Sequence, residues 1–212
     1  MFPLAPLARK AATLSMLVFV TASAGANPQR IHALQSDPKA LQSAIERGKQ
    51  TASFCGNCHG PSGNSDIPEV PNLAGQNPLY ILDQMRKFDR GERGDAFMQG
   101  LIKVIKENDR IDLALFYAAA AVQPAAPTPG ADSVARGKEI YQRRCVSCHG
   151  PSARGEGTIP RLAAQKASYL TVSLNRYRER NGVRSDPRMA PVAAGLSKDD
   201  IAVVVSYLSS LN

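Results

Sequence analysis

Apolar residues recur at the three-to-four-residue spacing of one helix face from Leu41 to Phe54, among good helix formers. Val134 to Arg144 repeats that pattern. Asn77-Pro78 reads as a cap followed by proline at the first helical position, opening a helix that runs through Phe88. Two more apolar runs, around Ile111 to Ala121 and Ile201 to Leu211, predict a closing helix in each half. The second follows Ser197-Lys-Asp-Asp200, a capping-box-like start with an acid facing the helix dipole. The connecting segments are rich in Gly, Pro, Ser and Asn and show no strand alternation. The pattern predicts an all-α chain.

The chain is also written twice. Thr51 to Ser62 (Thr-Ala-Ser-Phe-Cys-Gly-Asn-Cys-His-Gly-Pro-Ser) matches Tyr141 to Ser152 (Tyr-Gln-Arg-Arg-Cys-Val-Ser-Cys-His-Gly-Pro-Ser). Pro71-Asn72-Leu73-Ala74-Gly75-Gln76 matches Pro160-Arg161-Leu162-Ala163-Ala164-Gln165. Tyr80 aligns with Tyr169, Phe88 with Tyr177, Met98 with Met189, and Tyr117 with Tyr207. A period of about 90 residues is too long, and two copies too few, for a solenoid, so the reading is two copies of one small domain. Pro124, Pro127 and Pro129 sit in an Ala/Pro-rich stretch between them, which predicts a semi-rigid linker.

The N-terminus carries Arg9 and Lys10, then an apolar run from Ala11 to Thr21, then small-x-small sites at Ala22-Ser23-Ala24 and Ala24-Gly25-Ala26. This predicts a secretory signal peptide, because the run is shorter than the ~18 apolar residues of a membrane span; a retained anchor is the alternative. The predicted boundaries are 1–26 for the signal peptide, 27–121 and 132–212 for the two domains, and 122–131 for the linker. Removing Arg9 and Lys10 lowers the formal charge from +8 to +6. A basic chain fits nucleic acid, an anionic membrane or an acidic protein partner. With no helix-turn-helix, zinc-finger or RNP signature, nucleic acid drops out. There is no Trp and few aromatics, so two domains of roughly 80 residues need a staple or cofactor to complete their cores.

The four cysteines supply one. Cys55-Gly-Asn-Cys58-His59 and Cys145-Val-Ser-Cys148-His149 are both C-x-x-C-H, the attachment signature of c-type haem. Two thiols three residues apart share one face of a helical turn and can add to the vinyl groups of one porphyrin edge. The next residue, the histidine, is then placed as an axial iron ligand. A thioredoxin-like C-x-x-C would need a βαβ context, a zinc site built from both pairs has too long a spacing, and neither it nor two disulfides would explain His59 and His149. Met98 lies 39 residues after His59, and Met189 lies 40 after His149, so these are the expected sixth ligands. Met85 aligns with Leu174 and is expected to pack in the core. A thioether is soft, raises the potential, and closes the iron to oxygen or peroxide. His32 has no repeat partner and is expected to be exposed.

With these motifs in place, the mature chain resembles the two-domain cytochrome c4 group of class I c-type cytochromes. The resemblance rests on Cys55 to Asn64, Pro71 to Gln76, Tyr80, Gln84, Phe88, Gly91 and Arg93, with a looser second version in copy two. It implies two tandem class I cytochrome c domains, each around one covalently bound haem c and its iron. It also implies that the carbonyls of Pro71 and Pro160 accept from Nδ1 of His59 and His149; the alternative is that both prolines merely shape a loop. Leu73 and Leu162 would pack on the haems. Two departures put loop geometry in doubt: Ala153 and Ala164 stand where the family has Gly, and Lys106-Glu-Asn-Asp109 lacks the capping pattern of copy two.

The expected function is that of a periplasmic dihaem electron carrier, not an enzyme, serving the respiratory chain. Its partners would be redox proteins, a quinol-oxidising complex and a terminal oxidase or reductase, with no nucleic acid and at most peripheral membrane association. The alternative is a cytochrome subunit of an oxidoreductase, such as a flavocytochrome c sulfide dehydrogenase. A dihaem peroxidase would need an open or His-ligated iron, for which His32 is the only spare histidine, and a thiosulfate dehydrogenase a cysteine ligand, whereas all four cysteines are committed to attachment. The Met-bearing loops differ in charge: Phe88 to Met98 sums to −1 and Arg176 to Met189 to +3. The second haem is therefore expected to have the higher reduction potential.

Overall fold

The computed structural model describes residues 28–123, 130–184 and 186–211; the expected signal peptide and the three linker prolines lie outside them. All regular structure among the described residues is helical. The first half comprises α1 (Pro28–Ser36), α2 (Pro38–Thr51), α3 (Gly56–His59), α4 (Pro78–Asp89), α5 (Ala96–Lys103) and α6 (Glu107–Ala119). The second comprises α7 (Ala131–Arg144), α8 (Val146–His149), α9 (Ala167–Glu179), α10 (Met189–Ala194) and α11 (Lys198–Ser210).

Side-chain caps set the starts of α2, α5 and α11; Asn77, expected to cap α4, makes no cap bond and donates instead to the Arg154 and Ile159 carbonyls. Asp37 accepts from the N–H groups of Lys39 and Ala40 at 2.9 and 3.2 Å, so α2 opens at Pro38, before the first apolar residue. Ser197 and Asp200 form a reciprocal capping box at the start of α11, as its sequence predicts. Helix α1 was not evident in the sequence pattern; it is fastened by Ile31, which is fully buried, while His32 beside it is exposed.

Each half is built on one helix crossing, α2 on α6 and α7 on α11. A glycine permits each crossing. A Cβ on Gly48 would lie 2.1 Å from the Asp112 carbonyl oxygen, and one on Gly137 would lie 1.9 Å from that of Val203. The same glycines face Phe116 and Tyr207, so packing sets Phe116, not Tyr117, opposite Tyr207. Tyr117 and Leu208 are then counterparts. Two separate cores result, one around Leu82, Ile111 and Leu115, the other around Tyr141, Ile201 and Val204.

The two alanine departures leave the loops unchanged. Ala153 and Ala164 take φ of 54° and 53°, the left-handed region that Gly63 and Gly75 occupy in the first half. The Ala153 carbonyl accepts from Leu162 and Ala163 just as the Gly63 carbonyl accepts from Leu73 and Ala74. Gly63 cannot itself be alanine, because its Cβ would sit 2.7 Å from the Tyr117 ring. The second half carries Leu208 at that place, and its tyrosine, Tyr141, enters from α7 to donate to the Gly150 carbonyl.

Candidate haem-binding site

Helices α2 and α7 each lead directly into a C-x-x-C-H turn. The His59 N–H donates to the Cys55 carbonyl at 2.9 Å and the His149 N–H to that of Cys145 at 3.0 Å, so thiol and imidazole share one tight turn. All four thiols are free. Among the described residues no three His, Cys, Asp or Glu side chains converge, so the two cysteine pairs do not form one joint metal site.

Both histidines are buried, 9% and 4% exposed, and burial lowers their affinity for protons. His59 Nδ1 lies 3.0 Å from the Pro71 carbonyl and His149 Nδ1 lies 3.0 Å from that of Pro160. A carbonyl only accepts, so Nδ1 carries the hydrogen and each Nε2 keeps its lone pair. The Cys145 thiol is pushed up to about 11 by burial, and Cys55 is raised for the same reason.

These groups line one continuous cavity of about 2400 Å³, open mouths included, that runs through both halves. Met98 reaches it from α5 and Met189 from the start of α10. Met85 touches it too, from α4, but is 7% exposed and belongs to the first core. Leu73 and Leu162 line the same walls.

Sequence reasoning missed the polar layer where the halves meet. Arg93 donates to Gln84 Oε1 at 2.8 Å and to the Tyr169 hydroxyl at 3.2 Å. Arg184, 5% exposed, donates to the same two oxygens and stacks near the rings of Tyr169 and Tyr177. The hydrogen-bond partners of both guanidiniums are amide and hydroxyl oxygens, and neither forms an ion pair with Asp or Glu among the described residues. Against the cost of its burial, the fields of Arg184 and Arg93 pull the Tyr169 hydroxyl down to about 7. The cavity wall therefore carries two guanidiniums, Arg184 buried and Arg93 half-buried, with no carboxylate partner among the described residues.

The donor set fits haem c. Each half presents a thiol pair, an imidazole with its Nε2 lone pair and a thioether around an apolar slot, and the two guanidiniums suit the carboxylates of such a flat apolar group. One signal for this layer was in the sequence: Arg93 and Gln84 fall within the stretch that carries the family resemblance.

The comparisons agree. The cytochrome c family model matches residues 134–212. Cytochrome c4 of Pseudomonas aeruginosa is 34% identical over 179 residues, spanning 78% of this chain and 87% of that protein. A thiosulfate dehydrogenase electron acceptor of Thiomonas intermedia is 31% identical over 175 residues, spanning 75% of this chain and 79% of its own length. The crystal structure of reduced recombinant cytochrome c4 from Pseudomonas stutzeri superposes with a TM-score of 0.70 at 30% identity, covering 79% of this chain and 98% of that one. An all-helical chain of two cytochrome c domains, with a C-x-x-C-H turn in each and relatives this similar over most of their length, belongs to the cytochrome c4 family of c-type electron carriers.

Proposed function

We propose that this chain holds two haem c groups and passes single electrons between redox protein partners in the periplasm. The observation that carries the reading is the doubled donor set on one continuous cavity. Cys55 and Cys58 in one half, and Cys145 and Cys148 in the other, are the thioether attachment points. His59 with Met98, and His149 with Met189, would hold the two irons, with the Pro71 and Pro160 carbonyls fixing the tautomer and ring angle of each histidine. Haem c, when bound, supplies a one-electron Fe(III)/Fe(II) couple.

The protein's own contribution is to hold the donors in place. The proline carbonyls keep each imidazole neutral and aimed. The methionine sulfurs would favour the reduced metal and fill its remaining site, which suits a carrier rather than an enzyme. Leu73 and Leu162 keep water from the slot. Arg93 and Arg184 would offer positive charge to the haem carboxylates.

The signal-peptide pattern expected at 1–26 supports an exported protein. A quinol-oxidising complex as donor and a terminal oxidase or reductase as acceptor fit a carrier with an exported charge of +6. The similarity to a thiosulfate dehydrogenase electron acceptor favours a second reading, in which an oxidoreductase is the donor.

Absorption spectroscopy tests the ligation. The oxidised holoprotein should show the weak far-red Met–Fe(III) band with intensity for two sites. Met98→Ala and Met189→Ala should each remove about half of it, and Met85→Ala none. Loss on Met85→Ala instead would reassign the ligand of the first half.

A further inference from the structure

Gln76 and Gln165 occupy the same place in the two copies, and each reaches across into the other half. Gln165 Oε1 accepts from the Asn72 N–H at 2.9 Å while its Nε2 donates to the Asn72 carbonyl at 2.9 Å. Gln76 Oε1 accepts from the Arg161 N–H at 2.7 Å while its Nε2 donates to the Arg161 carbonyl at 3.0 Å. Both side chains are buried, 4% and 2% exposed. The second lone pair of each Oε1 is taken by the next residue's N–H, Asn77 at 2.9 Å and Lys166 at 3.0 Å. This pattern fixes the amide orientation, because a flip would set N–H against N–H and carbonyl against carbonyl.

The peptide units involved are special. The Asn72 N–H belongs to the same planar amide as the Pro71 carbonyl, which accepts from His59 Nδ1. The Arg161 N–H shares its amide with the Pro160 carbonyl, which accepts from His149 Nδ1. Each histidine is thus one peptide unit away from a glutamine of the opposite half. An acceptor on an amide N–H shifts electron density toward the carbonyl oxygen of that amide, because hydrogen bonds in a chain polarise one another. The carbonyl then draws harder on the Nδ1 hydrogen, and Nε2 becomes the stronger donor.

We propose that Gln165 is a positioning residue for His59 and Gln76 for His149, so that each half sets the donor strength of the other half's axial histidine. The proposal rests on the ligation described above. Stronger donation at Nε2 favours the oxidised metal, so removing a glutamine should raise the reduction potential on the opposite side of the seam.

The test uses the holoprotein. Gln165→Met keeps length and bulk and removes both hydrogen bonds to Asn72; Gln76→Met does the same at Arg161. In a redox titration, with the waves assigned by Met98→His and Met189→His, Gln165→Met should raise the midpoint of the N-terminal haem and leave the C-terminal one in place. Gln76→Met should do the reverse. The Nδ1–H proton resonance of the opposite half's histidine should shift in step. As a control, Asn77→Ala removes the bonds across the seam to the Arg154 and Ile159 carbonyls without touching either amide, and should move neither midpoint. A shift in the variant's own half, equal shifts in both, or unchanged midpoints overturn the proposal. Either glutamine variant decides alone if the other does not fold. Failure of the ligation itself would show separately, as a wild-type protein without two haems per chain or without the Met–Fe(III) band.

Discussion

Replacing Gly48 with alanine adds one methyl at the point where α2 crosses α6. The new carbon would stand 2.1 Å from the Asp112 carbonyl oxygen and 2.8 Å from Phe116 Cβ. Reaching an ordinary contact of about 3.4 Å means opening the crossing by roughly 1.3 Å. The obstacle is backbone and cannot rotate aside. Asp112 is also tied to α2 by Arg47, at 2.6 and 3.1 Å, so the helices must part as bodies. Overpacking of this kind costs about 1–3 kcal/mol, here at the upper end, while alanine gains about 1 kcal/mol over glycine in helix propensity. The net is about 2 kcal/mol of destabilisation, or a Tm lower by roughly 8–16 °C for a domain of this size. Gly100 in α5 is the internal standard, because a Cβ there meets nothing within 4 Å. Gly100→Ala should keep the propensity gain and raise the Tm by up to ~8 °C. Thermal unfolding of the holoprotein, followed by circular dichroism and haem absorption, compares the two. If Gly48→Ala melts at or above the wild type, or both variants move the same way, the close crossing is refuted.

Arg180 closes α9 with φ 51° in an exposed position where the first half has Gly91 at φ 74°, so Arg180→Gly should stabilise by up to about 1 kcal/mol in chemical denaturation. The Asp186 carboxyl is held well below the usual carboxylate range, first by its hydrogen bond from Arg188 and then by Lys87 of the other half. A depressed folded-state value stabilises above the unfolded value of about 3.9 and is lost as pH falls through the lower folded one. Asp186→Asn should therefore be less stable than wild type at neutral pH, and denaturation at stepped pH should show the two converging only in acid. The C-terminal haem should titrate at the higher potential, by roughly some tens of millivolts, since its loop is the more positive. Arg93 and Arg184 meet at the seam, and discounting both lowers each loop equally, which keeps that difference; a higher N-terminal midpoint would contradict it.

Much of the fold could be read from local pattern. Period gives α2, α4, α6, α7 and α11 because one face of each is apolar; proline at the first position marks the starts of α2 and α4, and side-chain caps mark those of α2 and α11. Helices α1, α5 and α10 were not legible: they are short, and each buries a single residue, Ile31, Ile102 and Ala193, instead of a repeating stripe. The C-x-x-C-H turns were legible because attachment chemistry demands fixed spacing. The seam was not. Gln76 and Gln165 are polar residues in a loop motif, and only the docking of two loops shows that they are buried and whom they bind. The one-residue slip between Tyr117 and Tyr207 has the same origin, since adjacent aromatics at 116 and 117 read alike until the Gly48 contact picks Phe116.

That slip has an evolutionary corollary. After the gene doubled, the phenol beside the first cysteine came from the closing helix in one half, as Tyr117, and from the opening helix in the other, as Tyr141. The bulk was traded between partners, with Gly63 and Ala153 following suit. The interchangeable unit is consequently a matched pair of helices. A chimera that moves α7 alone into the first half would crowd two phenols against Gly63, and one that moves α2 alone into the second would leave a hole beside Cys145, whereas α7 and α11 transplanted together carry a complete complement.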